Sequence, residues 1–150
     1  MLNTDYKEML SILNEEEVDY LVVGAYALAA YGLPRATGDI DIFIRPSLAN
    51  AEKVFRSLAR FGAPLADLGP GQFAEEGIVF QIGVAPCRID ILNRIDGVAY
   101  DEAENGRNLL SIEGVEIPFI GLKELKKNKL ATGRTRDRLD VEMLEELAAE

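Results

Sequence analysis

The 150-residue sequence contains no histidine, and Cys87 is its only cysteine. Without histidine the chain cannot use a histidine general base, a Ser–His–Asp or Cys–His arrangement, or an imidazole zinc site. A single thiol excludes an intramolecular disulfide and any zinc or iron–sulfur site that needs several cysteines, and it is compatible with a reducing cytosol. Chemistry in this chain must therefore depend on carboxylates, Arg and Lys, hydroxyls, backbone amides and metal ions that prefer oxygen.

Long apolar runs are missing as well. No segment approaches the roughly 20 apolar residues that a membrane-spanning helix needs. The first ten residues, MLNTDYKEML, carry acids where a secretion signal carries basic residues. At 48% hydrophobic and 28% charged residues, the composition is typical of a soluble globular protein. We expect one domain over residues 1–150, no membrane association and a cytoplasmic location.

Positive charge is scarce and unevenly distributed. The formal net charge is −10, yet the segment from Lys123 to Arg138 holds seven cations and two acids, a local charge of +5. An acidic body argues against broad binding of duplex nucleic acid, which needs many phosphate contacts. The basic segment still permits a local anion site.

Hydrophobic periodicity predicts an α/β domain with a helical C-terminal segment over 122–150. The pattern predicts helices over 4–16, 25–32, 47–62 and 121–133 and from about Thr135, with a short helical turn over 98–104. It predicts strands over 20–24, 39–44, 77–84 and 87–93, and a hairpin over 108–120 that turns at Glu113–Gly114. Residues 63–71 are predicted to form a loop. In the last helix we expect Leu139, Met143 and Leu147 to face inward.

Residues 22–44, VVGAYALAAYGLPRATGDIDIFI, contain the most informative pattern. A strand leads to Gly24–Ala25, small residues after which a helix begins, and such a junction can admit a phosphate. Asp39 and Asp41 lie two apart in the next strand, so they share one face, roughly 6.5–7 Å apart. Two adjacent carboxylates repel each other and favour a cation such as Mg²⁺. The alternative is that both are solvent-facing acids of a half-buried strand.

Asp90 repeats the pattern within the strand RIDIL. If this strand lies beside residues 39–44, a third carboxylate joins the first two near the glycine turn. Such a cluster is suited to phosphoryl transfer with metal ions. Taken by itself, Asp90 could equally be a surface acid.

These motifs resemble the signature of the nucleotidyltransferase superfamily with the DNA polymerase β-type fold. The resemblance rests on Gly24–Ala25, the Asp39-Ile40-Asp41 strand and the later Asp90, and it covers roughly residues 20–140. More narrowly, the pattern Arg35-x-Thr37-x-Asp39-x-Asp41 and the closing segment KLATGRTRDRLDVEML resemble small nucleotidyltransferase-like proteins, which include minimal nucleotidyltransferase antitoxins and abortive-infection toxins. The resemblance implies a mixed central β-sheet flanked by helices, with a short C-terminal helical segment.

The resemblance also implies roles for individual residues. Asp39, Asp41 and Asp90 are expected to be the catalytic, metal-binding acids, with Mg²⁺ or alternatively Mn²⁺ as the cofactor. Gly24 and Ala25 are expected to contact nucleotide phosphates through their amides. The family usually has Gly or Ser at the position of Ala25, so this chain lacks a hydroxyl contact there.

Basic residues complete the predicted nucleotide site. Arg35 and Thr37 precede the acidic strand, where Arg35 either reaches a phosphate or pairs with an aspartate. Lys123 and Lys127 share one face of a predicted helix, and they either bind the triphosphate or form a solvated surface.

We therefore expect a Mg²⁺-dependent nucleotidyltransferase that moves NMP from an NTP to a hydroxyl of a protein, an RNA end or a small molecule. A partner protein or a small metabolite fits the acidic body better than a large RNA, and a homo-oligomer could complete the acceptor site. The alternative function is a catalytically weak nucleotide-binding or antitoxin-like interaction module of the same fold.

Overall fold

The computed structural model describes residues 2–34 and 38–149, and the elements follow the predicted order closely. The helices are α1 (Thr4–Glu15), α2 (Gly24–Ala30), α3 (Leu48–Phe61), α4 (Tyr100–Asn105), α5 (Leu122–Ala131) and α6 (Thr135–Ala149). The strands are β1 (Tyr20–Val23), β2 (Ile40–Ile44), β3 (Val79–Ile82), β4 (Ile89–Leu92), β5 (Asn108–Ile112) and β6 (Val115–Phe119). Within the described residues, the α/β class predicted from the sequence is confirmed.

One mixed sheet holds these strands in the order β3-β4-β2-β1-β6-β5. β2 pairs with β4 in parallel and with β1 antiparallel. It therefore lies between the strand that leads to Gly24 and the strand that carries Asp90. β3 pairs with β4 antiparallel, and β5 and β6 form the predicted hairpin. The hairpin turns at Glu113 and Gly114, whose φ angles of 51° and 83° suit a two-residue turn.

Alternation along β2 fixes which side chains enter the core. Ile40, Ile42 and Ile44 are at most 1% exposed, whereas Asp41 is only half-buried. Since successive strand residues point to opposite faces, the carboxylates of this strand lie on the face away from those isoleucines. The fold thereby brings its acidic side chains to one side of the sheet.

Helix α3 shows local signals that agree with the tertiary structure. The Ser47 side chain accepts a hydrogen bond from the backbone amide of Asn50, and Gly62 ends the helix with a φ of 92°. These are the serine N-cap and glycine C-cap that helix ends favour. The loop predicted over 63–71 differs in one respect, because a 3₁₀ helix begins within it at Pro70.

The inward face predicted for α6 is wrong for two of its three residues, and only Met143 packs partly buried against the core. Leu139 and Leu147 are exposed, and the buried residues of the helix are Asp137, Asp140, Val141 and Leu144. That set has the 3–4-residue spacing of one helical face. Two acids lie on this face because Lys129 of α5 pairs with both of them.

No helix in residues 2–34 and 38–149 has the length and apolar character that crossing a membrane requires.

Candidate functional site

Asp41 and Asp90 lie side by side on the sheet. They are direct partners in the parallel pairing of β2 and β4. Asp90 is 7% exposed, which excludes the alternative that it is an ordinary surface acid. Asp39 precedes β2, two residues before Asp41, so its side chain belongs to the same face. We call Asp39, Asp41 and Asp90 the acid wall.

Gly24 lies directly against the Asp41 side chain of the acid wall. It follows β1, whose last residue Val23 pairs with Asp41, and it has a φ of 67°. A Cβ atom at this position would collide with the carboxylate of Asp41. Only glycine therefore allows the chain to turn here while Asp41 packs against the backbone.

The acid wall has a shortage of positive charge. Burial, followed by the negative charge of Asp90, a hydrogen bond with that carboxyl and the charge of Asp39, raises the pKa of Asp41 to about 7. Two adjacent carboxylates disfavour a second ionisation, so near neutral pH Asp41 is partly protonated and shares that proton in its hydrogen bond with Asp90. A cation bound beside Asp41 would favour the ionised carboxylate instead.

Arg88 is the cation that the fold itself supplies, and the sequence analysis missed it. Its Nε lies 2.7 Å from Asp90 Oδ1, and its Nη2 lies 3.1 Å from Asp90 Oδ2 and 3.3 Å from Asp39 Oδ2. The backbone amide of Arg88 also donates to Asp39 Oδ1 at 3.1 Å. The two-residue spacing between Arg88 and Asp90 places both on one face of β4, and it is the signal that could have revealed this contact.

A cavity of about 360 Å³ opens beside the acid wall. Asp41 and Asp90 lie on one of its sides, and Lys129 and Arg134 lie on another. A smaller adjoining recess of about 230 Å³ is also lined by Gly24 and Asp41, together with Ala25 and Arg136. Carboxylates and cations thus face one another across a space that borders the glycine turn.

The second side of the cavity is built by the end of α5 and the start of α6. We call this cluster the helical wall; its residues are Lys129, Thr132, Arg134, Asp137 and Asp140. The Lys129 ammonium, 12% exposed, lies 3.2 Å from Asp137 Oδ1 and 3.1 Å from Asp140 Oδ2. Both aspartates are almost fully buried.

Asp137 is the centre of the helical wall. Its Oδ2 accepts hydrogen bonds from the Thr132 hydroxyl at 2.6 Å and from Arg134 Nε at 2.7 Å. Burial acts to raise the pKa of Asp137, but the hydrogen bonds from Thr132, Lys129 and Arg134 outweigh it and hold the pKa below its usual range. The carboxylate therefore stays ionised and fixes the position of Lys129.

The predicted nucleotide ligands fall in three places. Gly24 and Ala25 line the cavity and its adjoining recess. Lys123 and Lys127 line a separate recess, where Lys127 pairs with Glu102 at 2.6 Å, so the lysine that α5 contributes to the cavity is Lys129. Arg35 and Thr37 lie outside the described residues.

A larger recess, of about 520 Å³, lies near the opposite end of β1. It is lined by Tyr20, Tyr100, Glu104 and Glu116 among others. Among its described lining residues there is no glycine, and the single cation, Arg107, stands against three acids, Asp19, Glu104 and Glu116. Size alone therefore does not identify the candidate site; the convergence of charges does.

The donor set of the acid wall suits a hard divalent cation. Asp41 and Asp90 present carboxylate oxygens, the ligands that Mg²⁺ prefers, and the absence of a Cβ at Gly24 leaves Asp41 room beside the turn. In residues 2–34 and 38–149, no group of three or more His, Cys, Asp or Glu side chains is arranged to hold a metal ion. Arg88 bridges Asp39 and Asp90, so a metal using either oxygen set must compete with its guanidinium.

Known structures share this fold at low sequence identity. A candidate nucleotidyltransferase from Thermotoga maritima superposes with a TM-score of 0.62 at 18% identity, covering 99% of this chain and 96% of that one. An antigenic nucleotidyltransferase-like protein from Paracoccidioides brasiliensis gives a TM-score of 0.58 at 16% identity, covering 97% and 78%. These similarities establish the nucleotidyltransferase-like fold that the sequence resemblance implied.

Comparison of the sequence with known proteins and family models identifies the family of this chain. No curated protein matches the chain in sequence. A family model described as "Nucleotidyl transferase of unknown function (DUF2204)" matches residues 2–150. Because that match spans nearly the whole chain, the protein belongs to this family of nucleotidyl transferases of unknown function.

Proposed function

We propose that the protein is a divalent-metal-dependent nucleotidyltransferase that moves NMP from an NTP to a hydroxyl acceptor. The observation that carries the proposal is the pairing of Asp41 with Asp90 against Gly24, in a cavity whose other side holds Lys129 and Arg134. A triphosphate with its metal needs carboxylates on one side and cations on the other. Membership of a nucleotidyl transferase family supports the same reaction class.

The acid wall would hold the metal. Asp41 and Asp90 would contribute ligands, and Asp39 would complete the set once Arg88 moves away. Mg²⁺ is the favoured ion and Mn²⁺ the alternative, because both accept carboxylate ligands. When bound, the ion neutralises phosphate charge and lowers the pKa of the attacking hydroxyl.

The chain's own residues would do the remaining work. Gly24 and Ala25 would let the phosphates approach the backbone closely, and Lys129 and Arg134 would attract the phosphates that leave as pyrophosphate. Asp41 would lose its shared proton as the ion binds, because a bound cation favours the ionised carboxylate. Arg35 and Thr37 remain predicted nucleotide ligands, and Lys123 and Lys127 would act from their separate recess only on a bound partner or acceptor.

The acceptor hydroxyl would belong to a protein side chain, an RNA end or a small molecule. The net charge of −10 favours a partner protein or a small metabolite over a large RNA. A second copy of the chain could supply part of the acceptor site.

A catalytically weak binding module is the second candidate function. The observation that favours it is that Arg88 already pairs with two of the three acids. In addition, Ala25 stands where the superfamily that the sequence resembles usually has Gly or Ser. This module would bind nucleotide, or a partner in the manner of an antitoxin, with little turnover.

A labelled-nucleotide assay with calorimetry separates the two. Each of the four α-labelled NTPs is incubated with Mg²⁺ and the protein, with and without short RNA and small hydroxyl acceptors, and binding of MgATP and MgCTP is measured in parallel. Asp41→Asn should abolish transfer, while Asp96→Asn is the matched control because Asp96 lines the same cavity and is exposed. Transfer that survives Asp41→Asn would overturn the proposal, and binding without transfer would favour the module.

A further inference from the structure

Arg88 pairs with carboxylates that a metal ion at the acid wall would use as ligands. Its guanidinium contacts both oxygens of Asp90 and one oxygen of Asp39 at 2.7–3.3 Å. Asp90 is nearly buried, whereas the Arg88 side chain is 31% exposed and so has an open route away from the acids. An arginine that binds a carboxylate through two parallel hydrogen bonds is a strong and well-oriented partner.

The register of β2 and β4 explains why this contact forms. Ile40 pairs with Ile89 and Asp41 with Asp90, so Asp39 and Arg88 are the next residues along the same two strands. All four polar side chains therefore lie on one face in two adjacent rows. A metal that used Asp41 and Asp90 would therefore compete with the Arg88 guanidinium for the carboxylate of Asp90.

We propose that Arg88 competes with the divalent ion for the acid wall and thereby makes metal binding depend on bound nucleotide; this inference rests on the proposed function. Metal alone must displace the guanidinium from its two hydrogen bonds with Asp90 and leave it only the longer contact with Asp39. A triphosphate gives the displaced guanidinium new anionic oxygens within the same site. Metal and nucleotide then bind cooperatively, and each strengthens the binding of the other by the same factor.

The coupling gives Arg88 a positioning role. It partly neutralises the acid wall by pairing with Asp39 and Asp90 in the free protein, and it releases the carboxylates when nucleotide arrives with its ion. The protein would therefore bind little free Mg²⁺ or Mn²⁺ in the absence of nucleotide.

Titration with Mn²⁺, followed by the paramagnetic resonance signal of the free ion, tests the competition. It is carried out on the full chain, wild type and variants, with and without a non-hydrolysable NTP analogue, and the Mn²⁺ that the analogue binds by itself is measured in a protein-free titration and subtracted. Arg88→Gln should bind Mn²⁺ alone about fivefold more tightly than wild type, since the competing partly exposed ion pair is gone. The analogue should strengthen Mn²⁺ binding in wild type and much less in Arg88→Gln.

Two further variants keep the test decisive. Arg94→Gln removes one positive charge from an exposed residue that lines the same cavity, so it measures the general electrostatic effect. Arg88→Lys keeps the charge but loses the two-pronged contact, and it should bind Mn²⁺ with intermediate affinity even if Arg88→Gln folds poorly.

The outcomes distinguish this inference from the proposed function. Equal or weaker Mn²⁺ binding by Arg88→Gln, or the same gain in Arg94→Gln, would overturn the competition. If Asp41→Asn still abolishes Mn²⁺ binding in that case, the proposed function stands. Absence of Mn²⁺ binding in wild type, with and without the analogue, and in every Arg88 variant would overturn both.

Discussion

The two sides of the candidate cavity are built on different principles. The acid wall consists of side chains on paired strands, so the backbone hydrogen bonds of β2 and β4 fix the relative positions of Asp41 and Asp90. The helical wall consists of side chains from α5 and α6, which Lys129 holds together through its two ion pairs. One side is thus positioned by the backbone and the other by charge.

This difference predicts how each wall responds to substitution. Removing the Asp41 carboxylate from the acid wall relieves its repulsion with Asp90 and Asp39, and the backbone pairing of β2 with β4 remains. Removing the Lys129 ammonium from the helical wall leaves two buried acids without the cation they share and removes two ion pairs between α5 and α6. Metal-free stability should therefore depend much more on the helical wall.

The largest effect is expected for Lys129→Met. It leaves Asp137 and Asp140 buried without their shared counter-charge, which should lower the free energy of unfolding by about 3 kcal/mol. Urea-induced unfolding measures this loss. The matched control on the same helix is Lys127→Met, whose pair with Glu102 is exposed and should cost less than about 1 kcal/mol. Similar losses for both variants would contradict the charge-based account of the helical wall.

Gly24→Ala tests the acid wall where it meets the turn. The new Cβ collides with the Asp41 carboxylate and the residue must adopt a φ of 67°, so stability should fall by about 2 kcal/mol and Mn²⁺ binding in the presence of the NTP analogue should be lost. Gly114→Ala has a similar φ of 83° with no atom within 4 Å, so it reports backbone strain alone, about 1 kcal/mol. If the two variants lose equal stability, Gly24 is needed only for its φ angle.

The pH dependence of Asp41 is expected to give the next largest effect. Its raised pKa means that the folded protein binds this proton more tightly than the unfolded chain does. Its contribution to stability is therefore complete below about pH 4 and is lost as the pH rises to about 7. In metal-free buffer, Asp41→Asn should be more stable than wild type by about 1–2 kcal/mol at pH 8 and no more stable at pH 4. Chemical unfolding at both pH values measures this, and a pH-independent difference would contradict it.

Arg134→Gln should separate stability from function most clearly. The Arg134 side chain is largely exposed although it donates to Asp137, so the free energy of unfolding should fall by less than about 1 kcal/mol. Loss of one charge-assisted contact to phosphate should raise the Kd for MgNTP about tenfold. Calorimetry measures the affinity, and unchanged binding would remove Arg134 from the nucleotide site.

The acid wall could largely be predicted because its geometry is periodic. The alternation of Asp and Ile in two short strands indicates which side chains share a face, and only the parallel register had to be assumed. Arg88 lies two residues before Asp90, so the same two-residue alternation predicts that both side chains share a face of the sheet. The sequence therefore contained the signal for the Arg88–Asp90 contact. The helical wall was harder, since seven cations between Lys123 and Arg138 offered no local reason to choose Lys129.

The prediction for the inward face of α6 failed because it depended on a charge pairing between two helices. Leu139, Met143 and Leu147 have helical spacing, and burial of apolar residues is the usual rule. The face that the helix buries nevertheless contains Asp137 and Asp140 beside Val141 and Leu144. Local hydrophobicity cannot foresee that a lysine on the preceding helix will neutralise two acids in the interior.

By itself the sequence determined the elements, the exclusion of histidine and multi-thiol chemistry, and the face of the sheet that carries the acids, because these follow from composition and from periods of two and 3.6 residues. The tertiary structure decided that Asp41 lies beside Asp90, that Arg88 partly neutralises the acid wall, and that Lys129 is the lysine of α5 that lines the cavity. Those outcomes depend on strand register and on the rotation of one helix against another, which only long-range packing and charge pairing can fix.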